Sequence, residues 1–451
     1  MQRTDLVTGL IIWLVVAAAT LLIHRRACGP GTGLVAAFLA GIWLIHWPGA
    51  LLYTLPWYAY EDRDLVQRGF QQSVYAVLGF GAGVLLLALL RARRQSQPDR
   101  SVAKTAAFPA RTYLVIGLLS YLVFLPLFGQ LPTLSAIISM STLFVVVGLA
   151  LFCWRAWQRG DMHALVLWLL AGLLIPLFTM LAWGFLSFGA TALLALITFV
   201  AGFIRIRARV VLAMLLVAYV GLSFYVTYMR DRLELRSSVW GGESVGQRLD
   251  QSWQMITGFE WFDLSNLSHL RRIDERINQN TLLGSAVLNL STGYIDYARG
   301  ETLSQAVTAL VPRALWPDKP IRAGGNALMT EYTGLDFDDN TSVGLGQVME
   351  LYINFGTAGV GIGFFVLGLV IAWFDRAAAL ALQRDNWQAF AFWYLSGIGM
   401  LQINGALFEI SASVAAGMVA VLLVNRLVLP VLAGSRPSGQ PAAGPLSHPL
   451  K

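Results

Sequence analysis

Apolar runs of about 20 residues recur along this chain, and they restrict its fold more than any other feature. Wound as helix at about 1.5 Å per residue, each run matches a hydrocarbon core about 30 Å thick. The candidate spans are 6–23, 33–54, 71–90, 112–130, 133–153, 163–183, 186–204, 210–228, 345–374, 389–407 and 410–430. Composition agrees: 57% of residues are hydrophobic and 13% charged, against about 25% charged in soluble domains. The expectation is an all-α polytopic membrane protein with about eleven transmembrane helices and one large extracytoplasmic loop, residues 229–343.

A net charge of +7 raises the question of nucleic acid, but the basic residues do not form a solvated face. They gather at span ends, where an excess of Lys and Arg marks the cytoplasmic side. With the N-terminus outside, the inside loops hold Arg25 and Arg26, the group from Arg91 to Arg111, Arg155 and Arg159, Arg205 to Arg209, and Arg376 and Arg384. The opposite choice would export the basic 91–111 loop. The expected location is therefore an inner (cytoplasmic) membrane, multi-pass, N-terminus out and C-terminus in, with the bilayer as partner and no nucleic acid. Cys28 and Cys153 both fall on the inner side and the large loop has no cysteine. No disulfide framework and no metal site are implied. The first span has a weak n-region, only Arg3, and reads as a retained helix rather than a leader.

Four parts follow: a bundle of about eight spans (1–228), the loop (229–343), three further spans (344–430) and a tail rich in Pro, Gly and Ser (431–451) that is expected to be disordered. The loop holds fifteen of the twenty-five acidic residues, yet it is amphipathic. Leu267, Leu270, Ile273 and Ile277 follow helical spacing, and 302–311 reads as a second helix stopped at Pro312. A loop of this length is too long for a mere connector.

Two stretches carry chemistry. In Val311-Pro312-Arg313-Ala314-Leu315-Trp316-Pro317-Asp318-Lys319-Pro320, three prolines stiffen a path that presents Arg313, Lys319 and then Arg322 near the membrane surface. Guanidinium forks suit phosphate oxygens, whereas Lys acts as a point charge. The competing reading is snorkelling, or ion pairs to Asp318, Asp336, Asp338 and Asp339. In the second stretch, Gln347, Glu350 and Asn354 share one helix face at the outer end of a span. Polar groups there face a bundle interior or a wet cavity, as a base, an Arg partner or a packing network. Gly359 and Gly363 form a small-xxx-small pair expected to serve packing. Gln402, Asn404 and Glu409 either line the same cavity or cap helix ends. His269, the loop's lone histidine, reads as structural before catalytic. No nucleotide, zinc or EF-hand motif is present.

The pair "VPRALWPDKP" and "GLGQVMELYINFG", with many apolar helices around one large loop, resembles the oligosaccharide repeat-unit polymerases, the O-antigen polymerase or Wzy-type family. Arg313 followed by Gly324 also resembles the Arg-x10-Gly pattern of some loops in this group. The resemblance implies a GT-C-like glycosyltransferase that works at the periplasmic face on undecaprenyl-pyrophosphate-linked oligosaccharides. It would need no cofactor and no metal, and a chain-length regulator is a possible partner. Arg313 is carried over as the pyrophosphate contact, with Lys319 and Arg322 by proximity. Glu350 would orient or deprotonate the acceptor hydroxyl. Arg271 and Arg272 are candidates for a second lipid pyrophosphate, and Tyr352 and Asn354 complete the substrate-binding set. Two alternatives are an O-antigen ligase-type transferase and a lipid-linked glycan flippase or exporter. The early position of His269 counts against the first, and the nearly uncharged spans of 112–204 against the second.

Overall fold

The structure is a computed structural model that describes residues 2–92, 108–183, 186–204, 208–241, 245–311, 316, 318, 325–337 and 343–434. Among these the secondary structure is helical, with no strand. The first bundle contains α1 (Gln2–Cys28), α2 (Leu34–Leu52), α3 (Arg63–Ala92), α4 (Ala110–Leu119), α5 (Leu125–Phe128), α6 (Pro132–Ser141), α7 (Phe144–Gln158), α8 (Met162–Gly172), α9 (Leu174–Trp183) and α10 (Ser187–Phe203). A π-helical turn, Ser120–Phe124, joins α4 to α5. Then come α11 (Ala208–Trp240), α12 (Val245–Thr257), α13 (Leu267–Ile277), α14 (Asn280–Ser291), α15 (Glu301–Ala309) and α16 (Gly325–Thr333). The last group is α17 (Gln347–Gln383), α18 (Trp387–Gly399), α19 (Leu407–Leu423) and α20 (Leu429–Gly434).

Eight of the described helical stretches are long and apolar enough to cross a membrane: 5–28, 34–52, 63–90, 110–128, 134–158, 162–180, 347–383 and 407–431. The chain is thus an all-helical protein suited to a multi-pass bilayer setting. Three expected spans take other forms. The segment 186–204 is a 17-residue apolar helix. The segment 389–407 is helical only to Gly399, because 400–406 turns back. The segment 210–228 does not end at the loop boundary: α11 is 33 residues long and carries helix twelve residues into the expected loop.

Backbone contact between helices organises the centre. A Cβ on Gly79 would lie 2.3 Å from the Gly361 carbonyl, one on Gly83 2.1 Å from Phe365 O, and one on Gly368 2.3 Å from Phe80 O. Small residues on both helices therefore let α3 and α17 touch, as in tightly packed membrane helices. Phe38 stacks on Phe80 at 4.8 Å beside this contact. The expected pair Gly359 and Gly363 does serve packing, but against Leu351 of the same element, which lies over them.

The loop is not a detached cap. Its helix α14 lies against the first turns of α3, where a Cβ on Gly284 would meet Leu65 O at 1.9 Å and one on Gly69 would meet Asn280 O at 2.0 Å. Leu283, Ala286 and Leu290 are buried there. The helix α13 forms where the apolar period places it, started by Asn266, whose side chain accepts from Ser268 N at 3.0 Å. Leu270, Ile273 and Ile277 are buried, whereas Leu267 is exposed.

Candidate functional site

The loop end of the bundle is built around a broken helix. In α17 the backbone leaves helical geometry at Phe355 and Gly356, and Gly356 has φ +62° and ψ −154°. A side chain there would be strained, so glycine permits the break. The loop docks onto it: Ala298 N donates to Ile353 O at 2.8 Å and Gly300 N to Asn354 Oδ1 at 2.9 Å. Asn354 also donates to Thr302 Oγ1 and to Glu350 O, both at 2.7 Å. This residue is fully committed to joining the loop to the bundle.

Gln347, Glu350 and Asn354 share one face, as their spacing predicts, and all three are buried. Glu350 is 0% exposed. Its Oε2 accepts the Leu407 N–H at 2.5 Å, so it caps the N-terminus of α19 from another helix. A carboxylate at that end also complements the helix dipole. Its other oxygen, Oε1, has no hydrogen-bond partner among the described residues. Asn404 and Gln402 make joints rather than line a wet cavity. Gly346 N bonds Asn404 O at 3.1 Å, Gln279 Nε2 bonds Asn404 Oδ1 at 3.1 Å, and Gln347 Nε2 bonds Gln402 O at 3.4 Å. Glu409 accepts from Ala406 N at 3.2 Å, which is the capping role.

A second polar centre joins α11 to α13. Glu260 receives Arg230 Nη1 at 2.7 Å, Arg272 Nη1 at 3.0 Å and His269 Nε2 at 3.2 Å. These donors, Arg230 foremost, pull its carboxyl down to about 2. His269 Nδ1 accepts the Asp263 N–H at 3.1 Å, so Nε2 carries the proton given to Glu260. Both ring nitrogens of His269 are engaged in joining this centre.

Beside this centre stands a group of guanidiniums. Arg232 and Arg236 lie four residues apart on α11 and are 8% and 7% exposed. Tyr228, one turn before Arg232, is close enough to act on both. Arg276 of α13 is exposed and close enough to repel them. Burial first, then this repulsion, lowers Arg232, and burial, Arg232 and Arg276 lower Arg236 to about 10. Among the described residues no carboxylate lies within ion-pair distance of Arg232. Concentrated positive charge that is partly withdrawn from water attracts an oxyanion, and guanidinium forks match phosphate.

The expected site residues fall into three groups. Arg313, Lys319 and Arg322 lie outside the described residues. Arg272 is held by Glu260, while exposed Arg271 sits over the Tyr60 ring at 5.3 Å. Tyr352 is buried with its ring 6.4 Å from that of Tyr297, next to Glu350 and Asn354. Sequence reasoning missed Arg232, Arg236 and Arg276. The available signal was "YMRDRLELR", with basic residues one helical turn apart just beyond an apolar run.

Fold and site together define a class: an all-helical, multi-pass membrane protein whose long polar loop is anchored into the bundle at one end. Within that class the chain belongs to the family described as Domain of unknown function (DUF8712), whose model matches residues 58–381, more than half of the 451. No curated protein and no solved structure matches it.

Proposed function

We propose that this protein is a membrane glycosyltransferase that polymerises undecaprenyl-pyrophosphate-linked oligosaccharide repeat units, at the outer face of a bacterial inner membrane. In this reading eleven spans, including α10, α11 and α18, cross with the N-terminus outside, in a GT-C-like arrangement. The observation that carries it is the guanidinium group Arg232, Arg236 and Arg276, placed where α11 passes from its apolar to its polar half. A lipid pyrophosphate would sit at that depth, its tail beside the bundle and its glycan under the loop. The resemblance of "VPRALWPDKP" and "GLGQVMELYINFG" to repeat-unit polymerases points the same way, with Arg313, Lys319 and Arg322 as further cations.

The chemistry balances without a nucleotide. The bond from the growing glycan's anomeric carbon to its pyrophosphate oxygen breaks, and undecaprenyl pyrophosphate leaves with both electrons. A hydroxyl of the incoming unit forms the new glycosidic bond and gives up its proton. Arginines stabilise the charge that develops on the leaving group. Glu350 is the proposed acceptor-side carboxylate. Because it is closed off from solvent in this conformation, that role requires the 400–406 turn to move and uncover Oε1.

The test is extension of purified lipid-linked repeat units by the protein in proteoliposomes, without added nucleotide. The wild-type chain should build a ladder of products. Arg232→Gln should abolish it while leaving membrane abundance unchanged. A wild-type protein that extends nothing, or an Arg232→Gln variant of full activity, would defeat the proposal.

A further inference from the structure

One stretch of the loop turns back along the bundle. After α12, residues 258–262 follow α11 in reverse, over about three helical turns. Arg230 Nη1 donates to Gly258 O at 2.8 Å and Glu260 N to Thr227 Oγ1 at 3.0 Å. Phe262 N then donates to Ser223 Oγ at 3.0 Å, and Phe262 O accepts from the Tyr219 hydroxyl at 3.2 Å. Residues 263–266 turn, and α13 carries the chain back, with Arg272 Nη1 reaching Val226 O at 3.5 Å. The stretch 258–267 is therefore a dip whose lowest point lies beside Tyr219.

Neighbouring helices fix the level of this dip. Met180 ends the apolar stretch 162–180, which is long enough to cross a membrane. It is buried in one cluster with Tyr228 and Met255, so Tyr228 marks one end of that stretch. At the other end, Phe203 closes α10 against Trp154 and Trp157, which stand just before Met162, with ring centres 5.5 and 5.0 Å away. The helix α11 starts at Ala208, close after Phe203, so it climbs from the Met162 level to the Met180 level. Tyr219 lies between the two, and the dip reaches within the depth that the apolar stretch crosses.

The side chains suit a lipid surface on one face only. Glu260 turns inward to Arg230 and Arg272, and the Phe262 ring faces that of His269 at 6.3 Å. Phe259 and Trp261 alternate with them and meet edge to face at 5.1 Å, and Trp261 stacks on Tyr219 at 5.8 Å. Trp261 is 59% exposed, and Leu264 and Leu267 are exposed at and after the turn. Through Tyr219 this apolar surface continues onto α11, where Leu215, Leu216 and Val220 are exposed. That continuity selects lipid as the occupant, because the same surface runs down the side of a crossing helix. Irregular backbone enters a bilayer only where protein satisfies its polar groups, and the α11 hydroxyls do so for Glu260 N, Phe262 N and Phe262 O. Asp263 is exposed at the tip, and a carboxylate needs headgroups or water. The tip therefore belongs at the headgroup–acyl boundary, where Trp and Tyr collect.

We infer that residues 258–267 form a membrane-inserting edge of the loop, seated in the outer leaflet of a phospholipid bilayer with Trp261 and Leu264 against lipid. The side of the membrane is that of the topology proposed above, whereas the depth rests on Met180, Phe203 and the run of α11. Glu260 and its arginines ride on the protein side of the same edge, so insertion holds them at headgroup level.

The experiment measures depth and needs no turnover. Cys28 and Cys153 are both buried, so a nitroxide can be attached at one introduced cysteine, with the parent chain treated alike as the blank. The sites are Trp261→Cys, Leu264→Cys, Leu216→Cys on α11, and Asp250→Cys at an exposed position of α12. Each is carried by the full chain in nanodiscs of phosphatidylethanolamine and phosphatidylglycerol. Collisions with oxygen, which concentrates in lipid, are compared with collisions with a water-soluble nickel chelate. The oxygen-to-nickel ratio at Trp261 and Leu264 should exceed that at Asp250 several-fold and stay below that at Leu216. Leu264→Cys keeps the stack of Trp261 on Tyr219, so loss of that stack cannot account for both results. Ratios at both sites equal to that at Asp250 would overturn the inference, since the edge would then stand in water. Few collisions with either reagent would also overturn it, since a second copy of the chain would then cover the face. Leu216 in lipid with the two edge sites wet would sink the edge alone. Leu216 as wet as Asp250, with both edge sites in lipid, would sink the crossing of α11 and leave the edge standing.

Discussion

Removing the Asp375 side chain should weaken the end of the bundle opposite the loop more than any nearby single change. Asp375 is 1% exposed in the last third of α17, and four donors surround it. Its Oδ1 accepts from Thr32 N at 2.8 Å, Thr32 Oγ1 at 2.8 Å and Leu34 N at 3.0 Å, and its Oδ2 meets His24 Nε2 at 3.0 Å. One carboxylate thus holds the end of α1 and the start of α2 against α17. Asp375→Ala strands two backbone N–H groups that have no route to water, at about 1–3 kcal/mol each. The expected loss is about 2–6 kcal/mol, before the hydroxyl and His24 are counted. Asp375→Asn keeps an oxygen for the three Oδ1 donors and gives His24 an amide N–H in place of a carboxylate. It loses only the charge assistance, which roughly halves the strength of such bonds, so about 1–3 kcal/mol is expected. The assay is the apparent unfolding midpoint in one detergent at one scan rate, since unfolding of such proteins is commonly irreversible. The order should be wild type, then Asn, then Ala. An Ala variant as stable as wild type, or an Asn variant as damaged as Ala, would refute the view that these hydrogen bonds make the joint.

Three further outcomes follow from the packing and charge. The Glu260 carboxyl is depressed in the folded chain, so its contribution is complete above about 4.5 and is lost as pH falls through about 2. Hydrogen exchange at the Glu260 and Phe262 amides, which are bonded to Thr227 and Ser223 of α11, should therefore quicken across that window. In Glu260→Gln it should be fast already at pH 7. Gly284→Ala should cost about 1–3 kcal/mol or more, because its methyl would press on backbone rather than on a movable side chain. Gly221→Ala, in open space on α11, should be neutral or stabilising by about 0.5–1 kcal/mol, and equal midpoints for the two would contradict the packing. Reporter fusions at Asp263 and Gln97 should report opposite compartments, and matching compartments would remove the proposed topology.

What the sequence revealed follows from which interactions are local. The helix α13 was legible because its apolar period, Leu267 to Ile277, is local in the chain. The shared face of Gln347, Glu350 and Asn354 was legible for the same reason. Their partners were not, because Leu407, Thr302 and Gly300 are distant in the chain. The continuation of α11 to Trp240 was not legible because its last turns are polar, and polarity reads as loop when the supporting surface is unknown. That concealed Arg232 and Arg236, which are buried in the folded chain. The break at Gly356 left no local mark beyond a glycine in a chain that holds forty-three.

Arg63 shows the limit from the other side. In "YEDRDLVQR" it stands between acids, and composition alone would pair it with any of them. Geometry assigns Asp64 to Arg68 along the helix and Asp62 to the helix start, which leaves Arg63 with two empty donors next to a cavity. Local charge neutrality in a sequence therefore does not establish that each charge is satisfied. The same logic links the two basic centres at this end of the bundle. Arg232 is in excess because its helix runs on past the apolar core, and Arg63 because its acidic neighbours cap and pair elsewhere. Glu260, by contrast, has three cationic or donor partners and nothing left to offer a ligand. Charge left over at the loop end is therefore cationic, and the ligand chemistry it suits is anionic.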